Sequence, residues 1–248
     1  MDLGLRGRTA AVAAGSAGLG LGTAKALALD GVRVVICGRD ELKLHRALAE
    51  IGNGAQGFVC DVSTDEGGHE FVERAISILG SVDILVANGG GPPAGTFAST
   101  PEDQYLPALQ NNLLSTVAMC HAAIPGMRER KWGRVLAITS VSVRQPINNI
   151  ILSNTARAGV TAFLKTLARE VAGDGITVNT IQPGTHATDR ITQLYGTNLD
   201  AVAAGIPAGI VGDADDFGRI AAFMCSDSAK FMTGVNVHVD GGAYSGLL

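Results

Sequence analysis

Short apolar runs rich in β-favouring residues recur along the chain and alternate with stretches of helical periodicity. The strand candidates are 9–14, 32–37, 57–61, 84–87, 134–139, 177–181 and 235–239. Most are nearly continuous apolar runs, not alternating ones, as parallel strands require when helices cover both faces. Helix starts lie between them. Ser63 and Glu66 have capping-box spacing, Thr100 followed by Pro101 offers an N-cap with proline at the first helical position, and Asp213 to Asp216 opens a helix with acid in its first turn. Long helices are expected over 100–129 and 153–173. Alternation held from end to end predicts an α/β fold: one doubly wound, seven-stranded parallel sheet of Rossmann type flanked by helices, a single domain over 1–248. The one irregular region, about 184–212, follows the sixth strand. In an open α/β sheet such a segment borders the ligand crevice, so a substrate lid is expected there.

Composition narrows the classes. With 46% hydrophobic and 17% charged residues in 248, the chain has ample material for a globular core. A net charge of −4 and 4% aromatic content disfavour nucleic acid as a partner. The long uncharged stretches are broken by glycine, proline or polar residues, so no membrane span is expected. The first residues, Met1-Asp2-Leu3-Gly4, lack the basic and apolar regions of a signal peptide. Cys37, Cys60, Cys120 and Cys225 show no metal-ligand spacing, nor do His45, His69, His121 and His238. Buried, reduced thiols in a cytoplasmic protein, and no metal, are the expectation.

The first strand runs into a turn containing Gly15, Ser16, Ala17, Gly18, Leu19, Gly20 and Gly22, and a helix follows. Glycines there let backbone N–H groups approach a pyrophosphate, and the helix N-terminus adds partial positive charge. A glycine cluster alone is weak evidence. Its place between the first strand and the first helix, with a second strand end about 20 residues on, points to a dinucleotide. That second strand end is Cys37-Gly38-Arg39. An acid there would bind the ribose 2′-hydroxyl of NAD, whereas a guanidinium suits the 2′-phosphate of NADP. Arg39 therefore predicts NADP(H), with Asp40 capping the next helix.

Further motifs follow in order: Asp61-Val62, Ala87-Asn88-Gly89-Gly90, Asn112, Ser140, Pro183-Gly184, Thr188 and Val239-Asp-Gly-Gly242. In these the chain resembles the short-chain dehydrogenase/reductase family, nearest its 3-oxoacyl-acyl-carrier-protein reductase branch, from Arg6 to Tyr244. The resemblance implies that Asp61 and Val62 meet the adenine and that Asn88, Gly89 and Gly90 border the cofactor. It implies that Pro183, Gly184 and Thr188 hold the nicotinamide amide, that Asn112 supports a proton-relay water, and that Ser140 bonds the substrate oxygen. It also implies a homotetramer assembled through the two long helices, acting on a small-molecule substrate.

Two departures stand out. The family's turn begins Thr-Gly where this chain has Ala13-Ala14, a change expected to be absorbed by Gly15. The family's catalytic Tyr-x-x-x-Lys falls on Ser153-Asn-Thr-Ala-Arg157, and no tyrosine lies between Asn112 and Thr188. A phenol, with an unperturbed pKa of about 10, can be tuned toward neutrality by an adjacent cation. A serine hydroxyl is far less acidic and shorter, so Ser153 is a poor general acid. Arg157 keeps the positive charge that clamps the nicotinamide ribose. Three readings stay open. The first is an NADPH-dependent carbonyl reductase whose proton comes from water ordered by Asn112, or from the lid residues His186 or Tyr195. The second is a dehydratase, isomerase or lyase on the same scaffold, and the third is a cofactor-binding protein without catalysis. The loop 144–149 and the glycine–proline loop 89–95 are expected beside the substrate.

Overall fold

The computed structural model describes residues 2–196 and 198–247, without the Tyr195 side chain. The strands are β1 (Thr9–Val12), β2 (Arg33–Gly38), β3 (Gln56–Val59), β4 (Ile84–Ala87), β5 (Gly133–Ile138), β6 (Ile176–Pro183) and β7 (Asn236–Val239). All pair in parallel, in the order β3-β2-β1-β4-β5-β6-β7. Each expected strand is present within two residues at most of its ends. The helices are α1 (Gly18–Leu29), α2 (Glu41–Ile51), α3 (Asp65–Leu79), α4 (Tyr105–Leu109), α5 (Ser115–Arg130), α6 (Ile151–Val171), α7 (Asp189–Tyr195), α8 (Leu199–Ala203) and α9 (Ala214–Met224).

Strand residues alternate between two cores because successive side chains leave a strand on opposite faces. Ala11, Val35, Leu85, Val135 and Val178 pack on one face with Phe71, Met119 and Leu164 of α3, α5 and α6. Ala10, Val12, Val34, Ile36, Val86 and Leu136 pack on the other with Leu27 and Phe217 of α1 and α9. Burial on both faces explains the uninterrupted apolar runs; each fully buried Val, Leu or Ile stabilises by about 1.5–3 kcal/mol. All four cysteines are buried, and burial pushes the Cys37, Cys120 and Cys225 thiols up to about 12, so they stay protonated.

The helix starts differ in detail from expectation. Thr64, not Ser63, caps α3, its side chain accepting from Gly67 N at 3.1 Å. Asp40 caps α2 and Asp213 caps α9 as expected. The helix expected over 100–129 is interrupted: a 3-10 turn (Glu102–Gln104) begins it after Pro101, and a π turn (Gln110–Leu114) separates α4 from α5. Thr100 does not cap it. Thr100 instead closes a preceding 3-10 turn that Thr96 and Ser99 cap reciprocally.

The segment after β6 is less irregular than its composition implies. It carries α7 and α8, and its two ends are tied together. Ala187 N donates to Gly212 O at 2.8 Å and Gly212 N to Thr185 O at 3.0 Å.

Candidate active site

The order of strands reverses between β1 and β4, and the carboxyl ends of those strands open a crevice, where open α/β sheets place their ligands. The cavity there measures about 510 Å³. Its walls run from Ala17, Gly18 and Leu19 past Asn88 to Gly91, then Thr139, Ser140, Ser153 and Arg157, and end on Pro183 to Thr188.

The turn makes one wall. Ala17, the N-cap of α1, is extended and makes no side-chain cap, so the first N–H groups of α1 carry no side-chain acceptor from it. Gly18 has a φ of +54°, a conformation in which a side chain is strained. At Gly20 a Cβ would come within 2.7 Å of both Ala14 O and Asn88 Nδ2. That crowding exists because Asn88 Nδ2 donates to Ala13 O at 3.2 Å and to Ala14 O at 3.3 Å, stapling the end of β4 to the turn. Ala14 itself takes a φ of +46°. Gly15 does not absorb the change from the family's glycine; the left-handed residue is the alanine.

The flanks are less concentrated. Arg39 is exposed at the end of β2, where Ser16 overlies Gly38. Asp61 is exposed and accepts from Ser63 N at 3.0 Å, while Val62 is buried beneath it. Arg39, Asp61 and Val62 lie outside the main cavity wall, as do Gly15, Ser16 and Gly20.

Ser140 lies two residues beyond β5 and caps a short 3-10 turn, its Oγ accepting from Ser142 N at 3.1 Å. Ser153 and Arg157 are one helical turn apart on α6 and so share a face. Arg157 Nη1 donates to Ile138 O at 2.9 Å, which holds the guanidinium at the end of β5. Burial, and then the charge of Arg190, push this guanidinium down to about 10; it remains a cation at neutral pH.

Behind Arg157 lies a second space of about 10 Å³, bordered by Asn88, Asn112, Thr139 and Arg157. That is room for one water. Asn112 sits in the π turn, 6% exposed, with Nδ2 donating to Ala108 O at 3.3 Å. Its neighbour Asn111 donates to Gly90 O at 2.7 Å, tying the turn to the glycine loop.

His186 is 4% exposed, its ring edge-on to Phe217 with centroids 5.1 Å apart. Nδ1 lies 3.3 Å from Gly184 O. Burial holds its pKa below the usual imidazole value, so the ring is neutral at pH 7. It borders the cavity, but its contact with Phe217 ties the segment after β6 to α9. The side chain of Tyr195, the other lid candidate for the proton, lies outside the described residues.

The segment after β6 supplies a residue that sequence reasoning missed. Arg190, half-buried, lines the cavity and donates from Nη2 to Pro92 O at 2.7 Å. A guanidinium two residues beyond Thr188 was the available signal, but nothing in the local pattern shows that it turns inward. The apolar lining from Pro146, Ile147, Ile150, Ile191 and Leu194 completes this half.

The family model described as enoyl-(acyl carrier protein) reductase matches residues 13–244. A dehydrogenase/reductase of Sus scrofa, member 4 of the SDR family, is 31% identical over 98% of this chain and 89% of its own. The chain belongs to the short-chain dehydrogenase/reductase family. Within that family it is 32% identical to a 3-oxoacyl-(acyl-carrier-protein) reductase of Haemophilus influenzae, over 97% of this chain and 99% of that one. Among solved structures it superposes on the L-sorbose reductase of Gluconobacter frateurii, complexed with NADPH and L-sorbose, with a TM-score of 0.92, 29% identity and full coverage of both chains. This short-chain dehydrogenase/reductase thus keeps the family's fold at full length.

Proposed function

We propose that the protein is an NADP(H)-dependent oxidoreductase that interconverts a carbonyl and an alcohol on a small organic substrate, without the family's tyrosine acid. The observation that carries the reading is one continuous cavity joining the glycine turn to Ser140, Ser153 and Arg157. The turn fits a dinucleotide: α1 begins without a side-chain cap, and Gly18 and Gly20 stand where a side chain would be strained or would collide. Ala17, Gly18 and Leu19 would hold the pyrophosphate, with Gly15, Ser16 and Gly20 shaping the turn. Arg39 would meet the 2′-phosphate, Asp61 and Val62 the adenine, and Asn88, Gly89 and Gly90 the adenosine side. Pro183, Gly184 and Thr188 would hold the nicotinamide amide. The bound cofactor supplies a hydride donor. NADPH in the sorbose reductase complex supports the choice of nucleotide.

The chain's own residues would then do the following. Ser140 donates its hydroxyl to the substrate oxygen. Arg157 clamps the ribose and stabilises negative charge developing on that oxygen, an effect strongest in a water-poor site. Ser153 lines the wall without moving a proton. A water held in the space bordered by Asn112 and Arg157 would give its proton to that oxygen, and the hydroxide left would be reprotonated from solvent, which leaves His186 and Tyr195 off the path. The reading extends to a cytoplasmic homotetramer, with residues 184–212 as its substrate lid.

The test follows absorbance of NADPH against a panel of ketones and aldehydes. Oxidation is expected. Product formation without cofactor oxidation would select a non-redox enzyme, and binding with neither would select a non-catalytic protein. By calorimetry NADP is expected to bind more tightly than NAD; equal affinity would remove the role of Arg39. Ser140→Ala is expected to cost at least tenfold in kcat, whereas Ser153→Ala, His186→Gln and Tyr195→Phe stay within about threefold. A tenfold loss in either of the last two would return the lid to the proton path.

A further inference from the structure

The outer half of the cavity combines two features that the family's common chemistry does not require: an apolar wall and a second guanidinium. We infer that this half binds an organic anion, a substrate carboxylate carried on a short apolar chain, with Arg190 as the residue that selects it. The inference rests on the reading of this cavity as the substrate site.

Arg190 enters from α7 and is anchored on Pro92 O, so its planar group lies across the Gly91–Pro92 loop. A Cβ on Gly91 would stand 3.1 Å from Nε and 3.2 Å from Cζ and Nη2. A side chain at position 91 would make the guanidinium give by a few tenths of an ångström. Arg157 faces the same cavity from α6. The two cations are near enough that the charge of Arg190 disfavours the charge of Arg157. Asp189 is the sole acid among the described lining residues, and its carboxylate lies 3.5 Å from Lys43 Nζ on α2. A half-enclosed cleft bordered by two guanidinium groups draws anions toward it. A guanidinium is also the group best matched to a carboxylate, through two parallel N–H···O bonds.

The cofactor's pyrophosphate is the competing anion, and the lid separates the two places. Thr188 lies against the turn, its Cγ2 3.3 Å from where a Cβ of Gly18 would stand. Two residues on, Arg190 reaches the opposite wall at Pro92. The same cavity is lined by Gln145, Pro146, Ile147, Ile150, Ile191 and Leu194. Its apolar members offer a surface for the few carbons that would join a carbonyl at Ser140 to a carboxylate at Arg190.

The test uses unreactive probes, so that binding is read even if turnover is absent. Titration calorimetry compares hexanoate with hexanamide on the NADP-loaded protein. Hexanoate is expected to bind at least about tenfold more tightly. Arg190→Gln should erase that preference while leaving the Kd for NADP within about twofold, and Arg190→Lys should keep part of it. Equal binding of the two probes to the unaltered protein would overturn the inference. So would a matching loss of NADP affinity in Arg190→Gln, which would assign the arginine to the pyrophosphate. Hexanoate preference in a protein that oxidises no NADPH would sustain the anion site while refuting the reductase reading.

Discussion

Ala14 holds a left-handed φ of +46° at the crossing of β1, β4 and α1, where its carbonyl receives Asn88. That conformation costs an L-residue roughly 1–2 kcal/mol, and glycine would recover part of it against a more flexible unfolded chain, worth about 0.4–1 kcal/mol. Ala14→Gly is therefore expected to raise Tm by about 1–3 °C in a fluorescence melt, at 2–4 °C per kcal/mol, with NADP affinity unchanged within about threefold. The charges in the site make a second expectation. Arg157 is pushed down to about 10 and His186 lies below the ordinary imidazole value, so neither changes charge between pH 7 and 9. The profile of kcat should be flat across that interval and fall as pH approaches about 10 and the cation is lost. A fall through the range of a free imidazole would put His186 on the proton path. The effect on stability has the opposite sense. Arg157 releases its proton more readily folded than unfolded, so its charge weighs against folding below about pH 10, and that penalty fades as pH rises beyond it.

The packing of α1 on α9 is as tight as backbone allows. A Cβ on Gly218 would run into Gly22 O, and one on Gly22 into Ala214 O. Gly218→Ala must separate the helices or bend one of them, and overpacking of this kind costs typically 1–3 kcal/mol. Circular dichroism should show Tm several degrees lower. Because α1 starts at Gly18, NADP affinity should fall with it. Elements were the most legible level of this chain, since burial on both sheet faces writes itself as uninterrupted apolar runs. The errors have physical reasons. A π turn adds one residue to a helical ladder without disturbing composition, so 110–114 read as ordinary helix. Two adjacent hydroxyl residues offered two caps for α3, and backbone geometry selected Thr64.

At the level of the molecule, the half of the cavity nearest the turn was readable because strand, turn and helix are contiguous in sequence. The half nearest the segment after β6 was not. Arg190 meets Pro92, 98 positions away, and no local period encodes such a contact. The rear space was likewise invisible, since it forms where the π turn, β5 and α6 converge. Assembly belongs to the same scale. Leu106 and Leu114, on α4 and the π turn, are exposed, as is Phe97 just before them. Light scattering should return four times the chain mass of 25.4 kDa, and a monomer would contradict the assembly through these helices.

The tie between Thr185, Ala187 and Gly212 makes 187–211 a closed excursion that leaves the sheet and returns to the same point. Doubling the length of a closed loop costs only about 0.6 kcal/mol. The excursion therefore behaves as a cartridge: relatives can carry inserts of other lengths and chemistries between these anchors while β6 and α9 stay where they are. Exchanging it between family members should transplant substrate preference as a unit, without re-engineering the nucleotide half.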